Sequence, residues 1–140
     1  MAYSKFGNIK TTIDGILFDS KLESKFYEYA KLLKAEGKIK DFEMQTKYEI
    51  FPAFRKKGKA WRKIEYVADF VIHHFDGSIE VIDVKGVETD VFKMKHKMFE
   101  YKYPDLVLQT VTYSKIDGGW VSLDKVKKGR TARKKAKRGN

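Results

Sequence analysis

Apolar and polar positions change period along this chain, and each change marks an element. Ile9 to Ile13 and Ile16 to Phe18 flank Asp14-Gly15, the pattern of a short β-hairpin, and residues 1–8 read as a loose lead-in. From Lys21 to Ala35 the period lengthens. Leu22, Phe26, Tyr29, Ala30 and Leu33 share one helical face, and Gly37 stands where a helix terminator is expected. Residues 39–51 and 62–75 read as strands, separated by a basic loop, Arg55-Lys56-Lys57-Gly58-Lys59, and residues 78–85 return as a third. A second helix is predicted over Asp90 to Tyr103, ending before Pro104. Val91, Met94, Met98 and Tyr101 form its apolar stripe, and Lys93, Lys97 and Glu100 another. Leu106 to Thr112 and Trp120 to Leu123 read as the last strands. This order predicts an α/β chain of the mixed α+β kind: a central mixed sheet flanked by two helices, with an N-terminal β-hairpin.

The chain has 140 residues, 42% hydrophobic and 35% charged, which suits one globular domain over residues 1–123. No apolar run approaches the roughly 20 residues that cross a bilayer, and the N-terminus lacks a signal-like apolar stretch. A cytoplasmic location without a membrane partner is expected. With no cysteine, disulfides, thiolate metal sites and cysteine nucleophiles are excluded.

The net charge of +11 is concentrated at one end. Lys125, Lys127, Lys128, Arg130, Arg133, Lys134, Lys135, Lys137 and Arg138 supply nine cations, leaving +2 for the rest. Residues 124–140 hold almost no large apolar side chain and are expected to be a disordered basic tail. Two readings compete for it: a solubilising polycation, or an arm that neutralises nucleic-acid phosphates.

The chemistry lies in the second hairpin. Asp69 and Asp83 sit in apolar strands, and Lys85 follows Asp83 by two residues. Burying such groups is costly unless something compensates. Asp-Gly at 76–77 is a strong turn signal. If the loop is Phe75-Asp76-Gly77, His74 pairs with Ser78, Asp69 stands opposite Asp83, and Lys85 shares their face. A two-residue loop would put Asp69 on the other face. Glu23, on the first helix beside the apolar face, offers a third carboxylate. Its rival role is the capping box Ser20-Lys21-Leu22-Glu23. Three oxygen donors suit Mg²⁺, with Mn²⁺ able to substitute, and such a metal acts on phosphates. Lys85 could orient a water or offset developing charge. The competing reading of Asp69, Asp83 and Lys85 is a salt-bridged cluster at a strand end.

Gln45 lies in a strand beside this site, and Lys93 and Lys97 at i, i+4 could reach phosphates; an ordinary strand glutamine and a solvated helix face are their alternatives. His73 and His74 point to opposite faces of a strand and cannot form a metal pair, and His96 reads as exposed. Tyr66, Trp61 and the Arg55–Lys59 loop are further candidates for DNA contact.

A helix Glu23, a strand Asp69, then Asp83-Val84-Lys85 on the next strand resembles the PD-(D/E)XK nuclease superfamily. The layout is similar to archaeal-type Holliday-junction resolvases and to the nuclease subunit of some transposases. The string from Lys10-Thr11-Thr12-Ile13-Asp14-Gly15 through Phe18-Asp19-Ser20-Lys21, Glu23, Tyr66-Val67-Ala68-Asp69-Phe70 and Asp83-Val84-Lys85-Gly86 more closely resembles a family of small phage and prophage proteins. The resemblance covers roughly residues 5–112. The proline that names the superfamily is Ala68 here, and the second acid is Asp rather than the commoner Glu.

The resemblance implies a restriction-endonuclease-like core, with Glu23, Asp69 and Asp83 as ligands of Mg²⁺ and Lys85 as the catalytic lysine. The expectation is a metal-dependent DNA endonuclease, selective for branched DNA, working as a homodimer inside a host cell in phage recombination or replication. Gln45, Lys93, Lys97 and the tail residues Lys127, Lys128, Arg130, Arg133, Lys134, Lys135, Lys137 and Arg138 would contact the DNA. Two alternatives stand beside it: a non-catalytic nucleic-acid-binding module, and a nuclease active only within a packaging or transposition complex.

Overall fold

Asp14 and Gly15 both adopt positive φ, 53° and 76°, and turn β1 (Thr11–Ile13) back onto β2 (Ile16–Phe18). Paired left-handed residues match the twist of a two-residue hairpin. This computed structural model describes residues 10–139, so the lead-in at 1–8 and Ile9 lie outside the described residues. After α1 (Lys21–Ala35), Gly37 takes φ 72° and donates its N–H to Lys34 O at 3.1 Å, closing the helix as its position predicts.

A five-stranded mixed sheet follows, in the order β3-β6-β7-β8-β9: β3 (Asp41–Phe51), β6 (Ile64–His73), β7 (Ile79–Val84), β8 (Leu108–Ser114) and β9 (Gly119–Ser122). β3, β6 and β7 pair antiparallel, as do β8 and β9. β7 and β8 run parallel: Val81 N–H reaches Val107 O and Lys85 N–H reaches Val111 O, both advancing by four. Parallel neighbours need a crossover, which α2 (Asp90–Lys102) supplies. Thr89 caps it, its side chain accepting from Phe92 N–H. The fold is therefore the mixed α+β arrangement that the sequence pattern predicts, with three α-helices rather than two among the described residues.

The third helix corrects an expectation. Residues 124–140, read as disordered, lie largely in α3 (Leu123–Arg138). Leu123 and Val126 are buried, and Arg133 Nη1 meets Asp117 Oδ1 at 2.9 Å. Asp117 sits in a 3-10 turn, Lys115–Asp117, and also accepts from the Ser114 hydroxyl at 2.6 Å. Gly129 completes this contact, because a Cβ there would collide with the Asp117 carboxylate. The basic loop Arg55–Lys59 is likewise ordered, as β4 (Phe54–Lys56) paired with β5 (Lys59–Trp61).

The chain divides into two compact units. Among the described residues, one holds 10–33, Val84–Gly86 and 110–139; the other holds Lys34–Asp83 and Val87–Gln109. In the first, Phe18 packs on Tyr27, while Trp120 sits among Phe26, Tyr29 and Tyr113. The second has its core in Ile50, Tyr66, Ala68, Val71, Val81, Phe92, Phe99 and Leu108. On α2 this core takes Phe92 and Phe99. The apolar stripe read from the spacing lies largely outside, with Val91 64%, Met94 62% and Tyr101 90% exposed. Both faces of α2 carry apolar residues, and the two phenylalanines, one heptad apart, bury more ring area. Among the described residues, no helix is long and apolar enough to cross a membrane.

Candidate metal and phosphate site

The turn at 75–77 sets the geometry. His74 N–H donates to Ser78 O at 3.0 Å, Gly77 takes φ 89°, and Asp76 Oδ1 accepts from both the amide and the hydroxyl of Ser78. Those bonds, the hydroxyl first, hold the Asp76 carboxyl below the usual range. The loop is thus the three-residue Phe75-Asp76-Gly77. His73 faces Ile79 and Phe70 faces Ile82 across β6 and β7. That register, continued one step past Phe70 and Ile82, would set Asp69 opposite Asp83.

On its other side, β6 pairs with β3, Met44 facing Phe70 and Thr46 facing Ala68. Gln45 lies between them, opposite Asp69, and its φ of 55° is left-handed in mid-strand. This conformation changes which way the strands face. Ala68 and Val71 both belong to the core under α2, although residues three apart on a regular strand point to opposite sides. Phe70 instead meets Phe42, while Tyr48 meets Phe99. Both strands therefore swap faces at Gln45 and Asp69. At this bend Gln45 and Asp69 lie opposite each other on neighbouring strands, and the β6–β7 register leads on toward Asp83.

Asp83 is 6% exposed, and Tyr66 donates its hydroxyl to Asp83 Oδ1 at 2.6 Å. Burial first, then the Asp83 charge, pushes the Tyr66 phenol far above the ordinary range, with Asp69 adding to the push. Tyr66 thus stays protonated and serves as a donor. It is 4% exposed and packed against Phe92 and Phe99, which removes it from the candidates for DNA contact. Its role is hard to see in the sequence because a tyrosine in an apolar strand looks like core. The available signal was Asp83 itself, since a buried carboxylate demands donors.

Glu23 and Lys85 belong to the first unit, Asp69 and Asp83 to the second. Glu23 is 7% exposed and shares the buried stripe of α1 with Phe26, Tyr27 and Ala30, rather than flanking it. Packing of Phe18 on Tyr27 and Trp120 on Phe26 fixes that rotation. Ser20 Oγ accepts the Glu23 N–H at 3.1 Å, which is half of the expected capping box. Lys85 is half-buried just past β7. Among the described residues, no group of three or more His, Asp or Glu side chains is gathered to hold a metal ion.

The remaining candidates separate by environment. Lys93 and Lys97 line a surface depression with Glu88, His96 and Glu100. His96 is partly covered, bonded to Glu100 at 3.0 Å and packed beside Phe92, rather than simply exposed. His73 and His74 pair separately with Glu43 and Glu80. On α3, Lys127, Lys128, Arg130, Lys134, Lys135, Lys137 and Arg138 are exposed; Lys128 reaches Asp124 at 3.0 Å, and Arg133 turns inward to Asp117.

One protein family, described as protein of unknown function (DUF1064), matches residues 3–118. No curated protein and no solved structure matches the chain.

Proposed function

The chain belongs to the DUF1064 family, and we propose that within it this protein is a metal-dependent endodeoxyribonuclease hydrolysing phosphodiester bonds. The observation that carries the reading is the buried Asp83, held by the Tyr66 hydroxyl, together with a β6–β7 register that, continued one step past Phe70 and Ile82, would set Asp69 opposite it. Two oxygen donors of this kind fit Mg²⁺, which keeps several waters and is commonly held by one or two carboxylates plus substrate phosphates. When bound, the cation would polarise the phosphate and lower the pKa of an attacking water. Asp83 and Asp69 would hold it and Gln45 would orient a ligand beside Asp69, while Glu23 is proposed as third ligand on the sequence resemblance alone. Lys85, proposed on the same resemblance, would offset negative charge developing on the phosphate.

The substrate proposed is branched DNA, cut by a homodimer inside the cell, with the exposed cations of α3 and Lys93 and Lys97 on the backbone. A second reading, a nucleic-acid-binding module without catalysis, draws on the Tyr66–Asp83 bond, which satisfies a buried carboxylate without any metal.

Cleavage of four-way junction, nicked and linear duplex DNA with Mg²⁺ tests the proposal. Wild type should cut the junction preferentially. Asp83→Asn should lose about a hundredfold or more, the upper end seen when even a supporting group of a metal site is removed. Equal cutting by both proteins, or none by either, rejects the catalytic reading. Melting with and without Mn²⁺ then isolates the alternative, since only a metal site gives a cation-dependent rise that Asp83→Asn abolishes.

A further inference from the structure

The β4–β5 ribbon has a composition that its own stability does not explain. Residues 51–64 are exposed throughout. The pairing sets Phe54 opposite Trp61, Arg55 opposite Ala60 and Lys56 opposite Lys59. Lys57 and Gly58, at φ 50° and 75°, close the turn. Alternation puts Phe54, Trp61, Lys56 and Lys59 on one face, with Arg55 and Ala60 behind. The Phe54 and Trp61 rings lie parallel, 7° apart in plane and 5.9 Å between centroids, and Phe51 meets Phe54 edge-on at 6.1 Å. Lys59 Nζ sits 4.2 Å over the Trp61 ring. Yet Phe51, Phe54 and Trp61 stay 43–45% exposed.

Such a surface has a narrow range of partners. Between Glu49 and Glu65 there is no acidic residue, while six cations stand there. The ligand is therefore anionic. Parallel, part-exposed aromatic rings also suit a ligand that carries flat π faces. An anionic membrane would meet rings and cations too, but insertion needs an apolar tip, and this tip is Lys56-Lys57-Gly58-Lys59. Unpaired nucleotides meet both conditions, offering phosphates to the tip and bases to the rings behind it.

We propose that the β4–β5 ribbon is a stacking platform for unpaired bases of single-stranded or branched nucleic acid, with Trp61 and Phe54 taking the base and Lys56 and Lys59 the adjoining phosphates. The inference stands apart from hydrolysis, since it requires no metal.

The test is a titration of the full chain in EDTA with an oligothymidylate and with a blunt duplex of equal length. Binding is followed by anisotropy of the labelled DNA and by tryptophan fluorescence in a Trp120→Phe background, which leaves Trp61 as the one reporter. The single strand should quench Trp61 and bind tighter than the duplex. Trp61→Ala and Phe54→Ala should each weaken single-strand binding about tenfold, within the range for loss of one base–aromatic stack. Lys56→Ala should lower the slope of log K against log salt by about 0.7. Unchanged affinity in Trp61→Ala, with its melting temperature intact, overturns the proposal. So does equal Trp61 quenching by duplex, or a Trp61→Ala effect confined to the oligomeric state, which would mark the ribbon as a protein interface. Cleavage by Trp61→Ala at the wild-type rate alongside unaltered binding would sink this inference while leaving the nuclease reading intact.

Discussion

Tyr66 and Asp83 form a donor–acceptor pair whose consequences can be measured without any substrate. Tyr66→Phe keeps the ring packed on Phe92 and Phe99 but removes the hydroxyl from Asp83 Oδ1. Leaving a buried acceptor short of its donor should cost about 1–3 kcal/mol in urea unfolding. The pH dependence has a defined sign. The folded phenol titrates above its ordinary value of 10.0, so the folded state holds this proton longer than the unfolded state. The stabilisation is full below pH 10 and is lost as pH rises beyond it. Wild type should therefore weaken steeply above pH 10 in denaturant melts, and Tyr66→Phe should show a shallower decline. At this scale the sequence is informative where a turn dictates geometry. Asp76-Gly77 is enough to fix the three-residue loop and the pairing of Phe70 with Ile82. It is uninformative where packing decides, as for Glu23, whose place on the buried stripe depends on which rings meet Phe26 and Tyr27.

Among the elements, α3 departs most from expectation. Its composition resembles a disordered tail because Leu123 and Val126 are the only large buried side chains in it. The rest of its anchoring is polar: Arg133 on Asp117, with Gly129 giving the room. Arg133 first, then Ser114, holds the Asp117 carboxyl below its usual range. That contribution is present at neutral pH and is lost as pH falls through the depressed value, so the helix should loosen only in strong acid. Gly129→Ala gives a sharper test. Alanine is the better helix former by about 1 kcal/mol, so an unanchored helix would gain stability. Here the new methyl meets the Asp117 carboxylate, and hydrogen exchange over residues 123–138 should accelerate instead. Slower exchange would mean that the Arg133–Asp117 pair does not hold α3. The α2 stripe is a related case. Val91, Met94 and Tyr101 have helical spacing, but spacing cannot choose between two apolar faces, and Phe92 and Phe99 are the pair that the core takes.

Across the whole molecule, element order was legible and orientation was not. The succession of strands and helices follows from period and turn chemistry, whereas the exposed or buried face of each is a property of its neighbours. Net charge is a whole-molecule quantity as well. Exposed Lys134, Lys135, Lys137 and Arg138 contribute strongly to the +11. Changing all four to glutamine should weaken binding to every DNA sequence alike and flatten the salt dependence, by about 0.9 in slope for each duplex phosphate left without its cation. A change confined to one sequence would argue for base readout and against an electrostatic arm.

The bend at Gln45 and Asp69 has a consequence for misfolding. Ahead of it the paired strands direct one set of side chains to the α2 core, and beyond it the opposite set. A slip of a single residue would turn a uniform strand over as one piece, an error another surface could sometimes absorb. In β3 and β6 a slip would also separate the left-handed residue of one strand from the break in the other, setting the two halves at odds. The kink at Gln45 and Asp69 therefore acts as a registration mark that penalises mispaired sheets.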